Sequence, residues 1–188
     1  MTHTHINDIV TERGVVRLRP MASRDLDRII ELEVTLFDAS AWSYGAFAQE
    51  LATHGRWYIV AEHDVKDVAG GDTVVGYAGL WFDGDVAQIM TIGVDPAAQG
   101  LHIGAALLDA LIDRARHLGA HAVLLEVAVT NDRAIELYTR RGFHTITTRK
   151  RYYQPGNIDA YVMQRPLTDH TSHPGPVGRE AITMEDPQ

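Results

Sequence analysis

Residues 124–143 read LLEVAVTNDRAIELYTRRGF, and this stretch decides the fold of the C-terminal half of the chain. Its first residues are apolar or small except for Glu126, which predicts a buried strand that carries one acid. Asn131 is a preferred helix-capping residue, so a helix is predicted to begin there, to carry Tyr138 and to end at Gly142. An acid on a strand followed by a phenol on the next helix is a candidate pair of proton acceptor and proton donor.

The environment of Glu126 follows from the alternation of side chains along a strand, which places Leu124, Glu126 and Ala128 on one face. An acid in such a run must face a cavity, a partner or water, because burying it uncompensated is costly. Desolvation would make the carboxylate a stronger base, which suits general base catalysis. The alternative is a glutamate at a strand end that pairs with an arginine. For Tyr138 the alternative is a half-buried ring whose hydroxyl lies in water.

The segment upstream, IGVDPAAQGLHIG at residues 92–104, predicts a strand followed by a loop that opens a helix at Ile103. Helix N-termini expose unpaired N–H groups and the positive end of the helix dipole, so such a junction can bind phosphate. The loop is not a Walker loop, since no Gly-Lys-Ser/Thr follows, and it lacks the GxGxxG fingerprint of dinucleotide-binding proteins. The residues alone leave open a helix start that contains glycine and binds no ligand.

The composition is that of an ordinary folded protein and excludes several classes. The 188 residues favour one domain, 45% of them are hydrophobic, and no apolar run approaches the length of a membrane span. The N-terminus lacks the pattern of a secretory signal. The chain has no cysteine, which excludes thiolate metal sites and a cysteine nucleophile and is typical of a cytosolic protein. The formal charge of −8 argues against nonspecific nucleic-acid binding and is compatible with a basic peptide partner.

Periodicity divides the chain into one predicted domain and two tails. Residues 1–13 are polar and aperiodic and are predicted to form a flexible arm, and residues 168–188 are predicted to be disordered. His3 and His5 lie on that arm and give no reason to expect a metal. Residues 14–167 predict the order β-α-α-β-β-β-α-β-α-β-β, a mixed central sheet flanked by helices. The fold class is therefore α/β, or α+β in layers.

Several motifs, in this order along the chain, resemble the GNAT superfamily of acetyl-CoA-dependent N-acetyltransferases and, within it, the RimI branch. The resemblance covers roughly residues 15–165 and implies the GNAT fold. The residues that carry it are Trp42-Ser43 with Phe47, VGYAGLW at 75–81, IGVDP at 92–96, LEV at 125–127, Asn131, Ala134-Ile135, Leu137-Tyr138, Gly142-Phe143, Tyr152-Tyr153 and Asp159-Ala160 with Met163.

The resemblance implies an enzyme that acetylates the N-terminal alanine of a ribosomal protein by direct transfer in a ternary complex. Acetyl-CoA is the expected co-substrate, without a metal, and the expected partner is the N-terminal peptide of a ribosomal protein in the cytoplasm. Neither nucleic acid nor a membrane is an expected partner, and the protein is expected to be a monomer or weak dimer. Glu126 is implied as the proton acceptor and Tyr138 as the proton donor. The implied cofactor contacts are Ile92, Gly93, Val94, Gly100, Leu101, His102, Ile103, Gly104, Ala105 and Asn131.

The sequence departs from the family pattern at its phosphate-binding loop, which usually reads Q/R-x-x-G-x-G/A. His102 stands where the first glycine is expected, and Leu101 replaces a common basic or amide residue. We interpret His102 as a tolerated substitution that weakens CoA binding. Ala128 stands where the branch often has arginine and Ala41 where it often has proline, so the acceptor stays open. The alternatives are a protein lysine, a small-molecule amine, or a catalytically silent CoA-binding module.

Overall fold

The computed structural model describes residues 6–64 and 73–167, in which eight strands form one sheet in the order β1-β2-β3-β4-β5-β6-β8-β7. The strands are β1 Asn7–Thr11, β2 Gly14–Pro20, β3 Arg56–His63, β4 Thr73–Phe82, β5 Val86–Val94, β6 Ala122–Ala128, β7 His144–Tyr153 and β8 Ile158–Pro166. The helices are α1 Leu26–Phe37, α2 Tyr44–Ala52, α3 Ile103–His117 and α4 Asp132–Arg140. None of these helices combines the length and hydropathy of a membrane span.

The sheet carries helices on both faces, because successive strand residues point to opposite sides. In β3, Ile59 belongs to a core cluster with the apolar face of α3, whereas Tyr58 and Val60 belong to a second cluster with α1 and α2. The first cluster also receives the apolar side of α4. The molecule is thus layered as helices, sheet and helices, which confirms the fold class that the sequence predicts.

A gap opens in the middle of the sheet, between β5 and β6. These two strands are parallel, and their pairing is confined to Val86–Gln88 against Ala122–Leu124. Directly after the paired stretch, β5 contains a bulge, since Gly79 and Leu80 of β4 face Thr91 and Ile89 and leave Met90 as the extra residue. Bulges bend a strand and increase its twist. Within the described ranges, no strand therefore pairs with the β6-facing edge of β5 beyond Gln88.

The helix start that the sequence predicts at Asn131 is confirmed, and Ser43 caps α2 in the same way. The side chain of Ser43 accepts a hydrogen bond from the Ala46 N–H at 3.2 Å, and that of Asn131 accepts one from the Ala134 N–H at 3.1 Å. Trp42 contacts Phe47 across the start of α2, with ring centroids 5.2 Å apart. These local bonds fix where α2 and α4 begin, and α4 carries Tyr138.

The predicted flexible arm is wrong for Asn7–Thr11, which form β1 and pair with β2 through a two-residue turn at Glu12-Arg13. The strand lies at the edge of the sheet and only Ile9 packs against the core, so its sequence lacks the alternation by which strands are recognised. Residues 1–5 and the predicted tail at 168–188 lie outside the described residues. The two strands that close the predicted order are β7 and β8.

Candidate active site

A cleft of about 520 Å³ lies at the gap between β5 and β6 and reaches both layers of helices. Leu36 and Phe37 of α1 line one end, and the first turn of α3 together with one side of α4 lines the other. Its volume is typical of small-molecule sites. The sequence-predicted residues that line this cleft are Ile92, Gly93, Val94, Gly100, His102, Ile103, Gly104, Ala105, Asn131 and Tyr138.

The first turn of α3 forms one end of the cleft. His102 is the N-cap of this helix with φ 61° and ψ 13°, a left-handed conformation that glycine adopts freely and histidine tolerates better than most residues. Its exposed side chain makes no capping hydrogen bond to α3, so the first N–H groups of the helix are available to a ligand. The left-handed backbone conformation at residue 102 thus explains why the family usually has a glycine at this position.

Leu101 differs from the other predicted cofactor contacts. Its side chain is 7% exposed and belongs to the core cluster beneath the sheet, and it does not line the cleft. The neighbouring Gly100 has φ 89°, and a side chain added there would meet open space. The loop therefore anchors itself through Leu101 and keeps its cleft side free of side chains at Gly100.

Gly93 allows β5 to run close to a buried aromatic ring. A Cβ atom at this position would lie 2.5 Å from ring atoms of Tyr77 on β4. The Tyr77 hydroxyl in turn donates a hydrogen bond of 2.5 Å to Glu33 of α1, which also accepts one from the Trp42 N–H at 3.0 Å. This network fixes β5, α1 and the start of α2 against each other along one wall of the cleft.

We expect Gly93→Ala to lower the free energy of unfolding by about 1–3 kcal/mol, because the added methyl group must displace the Tyr77 ring in a packed core. Urea unfolding of the two proteins measures the difference. Gly45→Ala is the matched control, since the nearest atom to its new methyl group is the Ser43 Oγ at 3.9 Å. An equal effect of both substitutions on stability would contradict this account of Gly93.

Burial raises the pKa of Glu33 above its usual range, although hydrogen bonds from Tyr77, Trp42 and Thr91 oppose the shift. The folded state therefore favours the protonated carboxyl group. The stabilisation that comes from this raised pKa is fully present below about pH 4.3, the usual pKa of glutamate. It is lost as the pH rises through the raised pKa of Glu33 in the folded state.

The stability advantage of the wild type over Glu33→Gln is accordingly expected to be largest near pH 4 and to shrink toward neutral pH, because the amide does not titrate. Urea unfolding at a series of pH values measures this difference. Glu12→Gln, at an exposed position in the turn after β1, is the control and should show no such trend. A difference for Glu33→Gln that grows with pH would refute the direction of the shift.

Glu126 lies on one face of β6. Val123, Leu125 and Val127 lie on the other face, in the core cluster that includes the apolar face of α3. The Glu126 carboxylate is 16% exposed and has two donors: Arg149 Nη1 of β7 at 2.7 Å and Gln88 Nε2 of β5 at 3.1 Å. The pairing with an arginine is the alternative that the sequence leaves open. Glu126 therefore lies beside the gap with hydrogen bonds from both neighbouring donors.

Tyr138 reaches the cleft from the opposite layer, on α4, where its ring packs against Phe143 at 5.9 Å. Burial raises the pKa of its hydroxyl, and the neighbouring Tyr153 adds to the shift, so the phenol is protonated at neutral pH. Burial, followed by the charges of Tyr152 and Glu126, raises the pKa of Tyr153 to about 12. Tyr153 also donates a hydrogen bond of 3.3 Å to the Glu126 carbonyl. It thus lies close to both members of the predicted pair.

The charged side chains that line the cleft are mostly cationic, although the chain as a whole is acidic. They comprise Arg133, Arg140 and Arg141 against the single acid Glu136. Arg140 pairs with Glu136, and Arg141 pairs with Asp109 of α3 at 2.8 Å. Arg133 instead hydrogen bonds the neutral amide of Gln99 across the mouth of the cleft. The cleft is suited to a polyanionic ligand.

Sequence reasoning assigned no role to Gln88, Arg133, Arg149 or Tyr153. Arg149 and Tyr153 follow Glu126 on a later strand, and only the sheet order brings them to it. Tyr153 belongs to a pair of tyrosines that the resemblance singles out, and this was the one available signal. In the described ranges, no group of three or more His, Cys, Asp or Glu side chains is arranged to hold a metal ion.

Comparison with known proteins agrees with this geometry. Residues 23–143 match the model of the acetyltransferase (GNAT) family. The N-alpha-acetyltransferase RimI of Mycobacterium tuberculosis is 39% identical over 159 residues, which cover 82% of this chain and 94% of that protein.

Two solved structures share the fold. The ribosomal-protein-S18-alanine N-acetyltransferase of Escherichia coli is 26% identical with a TM-score of 0.69, over 84% of this chain and 99% of that one. NAA60 of Arabidopsis thaliana, solved with a bisubstrate analogue, is 18% identical with a TM-score of 0.73, over 80% of this chain and 97% of that one, and shows the fold alone. The chain belongs to the GNAT acetyltransferase family and, within it, to the RimI type.

Proposed function

We propose that the protein is an acetyl-CoA-dependent N-acetyltransferase that acts on the N-terminal alanine of a ribosomal protein in the cytoplasm. The observation that carries this proposal is the cleft at the β5–β6 gap, which is lined by Tyr138 and by a helix start suited to anions. Glu126 does not line this cleft but lies beside the gap, on the opposite face of β6. The relatives named for α-amine and ribosomal alanine acetylation share the fold and the family.

The residues present fit acetyl-CoA. Its phosphates would lie at the first turn of α3, where N–H groups of Ile103, Gly104 and Ala105 are available and Gly100 leaves open space. The cationic lining supplies the complementary charge. The open edge of β5 at Ile92, Gly93 and Val94 offers backbone groups to an extended pantetheine arm, in the manner of an added strand. Asn131 would contact the cofactor from the start of α4.

When bound, acetyl-CoA supplies an acetyl group activated as a thioester. Glu126 accepts a proton from the acceptor nitrogen as the new N–C bond forms and the S–C bond breaks. A β5 N–H group stabilises the negative charge that develops on the carbonyl oxygen. Tyr138 stabilises the departing sulfur and supplies its proton. Since the chain has no cysteine, the transfer is direct, within a ternary complex of protein, acetyl-CoA and amine.

A panel of amines tests the assignment. The protein is incubated with acetyl-CoA and, separately, with peptides that begin with alanine or other residues, an N-terminally blocked lysine peptide, a polyamine and an aminoglycoside, and products are identified by mass spectrometry. We expect the highest kcat/KM for the peptide that begins with alanine. A higher kcat/KM for lysine or a small amine would change the acceptor. Binding of CoA without acetylation of any amine would favour a silent CoA-binding module.

We expect Arg133→Met to raise the Kd for CoA about three- to tenfold, because a charge interaction at an exposed position contributes roughly 1 kcal/mol. Isothermal titration calorimetry measures the affinity, and the difference from wild type should decrease at high salt. Arg116→Met is the control, since this arginine lies in the last turn of α3 and pairs with Asp113. An unchanged affinity in Arg133→Met would remove this residue from the site.

A further inference from the structure

Arg149 places a permanent positive charge against the proposed base. Its guanidinium donates to Glu126 at 2.7 Å, and its central carbon lies 4.2 Å from the centre of the Tyr152 ring. An ion pair on one side and a cation–π contact on the other hold the group in place, although the arginine side chain is 53% exposed. Arginine retains its charge at any physiological pH.

The charges around Glu126 define which form of the acceptor amine can approach. Gln88 is neutral, and the pKa of Tyr153 is raised to about 12, so neither adds charge at neutral pH. Without Arg149, the carboxylate would attract an ammonium group. With Arg149 present, its negative charge is matched and a second cation at the same place is repelled. A neutral amine is not opposed in this way.

The two main classes of protein amine differ greatly in their neutral fraction. With a pKa of roughly 7.7–8.0, about a quarter to two-fifths of a peptide α-amine is neutral at pH 7.5. With a pKa of roughly 10.4, only about one in a thousand lysine side chains is neutral at that pH. A site that accepts the neutral form therefore favours the α-amine by about two orders of magnitude before any other contact is made.

We propose that Arg149 is a specificity-determining residue that selects the neutral N-terminal amine over the lysine side chain by occupying the cation position at Glu126. This inference rests on the proposed α-amine acetyltransferase function. This role also accounts for the ion pair between Arg149 and Glu126.

The test compares kcat/KM at pH 7.5 for two peptides. One has a free N-terminal alanine and no lysine, and the other has a blocked N-terminus and one lysine. In Arg149→Met the ratio of lysine to α-amine kcat/KM is expected to rise about fivefold, the upper end of the effect of one charge at a partly exposed position. Arg149→Gln should behave alike, so that the result does not depend on one variant. Arg149→Lys, which keeps the charge, and the distant Arg116→Met should retain the wild-type ratio.

The outcomes separate this inference from the proposed function. If the wild type prefers the α-amine and both neutral variants keep its ratio, even at reduced activity, Arg149 has only a structural role and the inference fails alone. If the wild type prefers the lysine peptide, or binds CoA and acetylates neither peptide, the proposed function fails and the inference fails with it.

Discussion

Glu126→Gln is expected to lower kcat for acetylation of a peptide α-amine by about 10²–10⁴, the range typical for loss of a general base. The amide has nearly the same shape and can still accept a hydrogen bond from Gln88 or Arg149, but it cannot take a proton. Because Glu126 is not among the residues that line the cleft, the Kd for CoA should stay within about twofold of wild type. Steady-state kinetics and calorimetry on the same preparations measure both quantities.

Glu31→Gln is the matched control for this substitution, since Glu31 is an exposed glutamate that pairs with Arg28 at 2.9 Å on α1. Its kcat should equal that of the wild type. A loss of less than tenfold in Glu126→Gln, with acetylation still at the α-nitrogen, would show that another group or water accepts the proton.

Tyr138→Phe is expected to lower kcat by about 10², the effect of removing one donor to a developing negative charge. The phenylalanine keeps the ring contact with Phe143, so the stability of the protein and its CoA affinity should change little. The raised pKa keeps the Tyr138 hydroxyl protonated, and it widens the margin by which a phenol is a weaker acid than a thiol, whose usual pKa is about 8.5. The hydrogen bond from Tyr138 is therefore expected to stabilise the departing sulfur before the proton is transferred.

Two further substitutions test whether the proton donor is Tyr138 or another tyrosine. Tyr161→Phe, on β8, removes a phenol elsewhere in the sheet and should leave kcat unchanged. Tyr153→Phe probes the tyrosine that lies close to both Glu126 and Tyr138. If Tyr153→Phe lowers kcat and Tyr138→Phe does not, the donor has been assigned to the wrong residue.

The helices and most strands were predictable because their signals are local. Asn131 caps the helix that it was expected to begin, as Ser43 caps α2, since a capping bond spans three residues and depends on little else. The apolar face of α3 follows from its period. β1 was missed because an edge strand of polar residues has no such period, and its pairing with β2 supplies the order instead.

The site was predictable in its parts and not in its arrangement. Most of the predicted residues that line the cleft lie in two short stretches of sequence, so the turn before α3 and Tyr138 could be predicted from local patterns. The partner of Glu126 was not, because Arg149 comes from β7 and reaches it only through the order β6-β8-β7. The gap between β5 and β6 depends on a bulge at Met90, and neither propensity nor alternation indicates a bulge there. Leu101 is a different case, because it lies in the loop before α3 but its side chain packs in the core cluster and anchors the loop.

The position of the acetyl group on one peptide tests the central claim most directly. The peptide carries both a free N-terminal alanine and an internal lysine, and tandem mass spectrometry assigns the modified nitrogen after incubation with acetyl-CoA and the wild-type protein. The arrangement of Glu126, Arg149 and Tyr138 predicts acetylation at the α-nitrogen, at a rate that falls by about 10²–10⁴ in Glu126→Gln. Acetylation at the lysine, or none by protein that binds CoA, would contradict it.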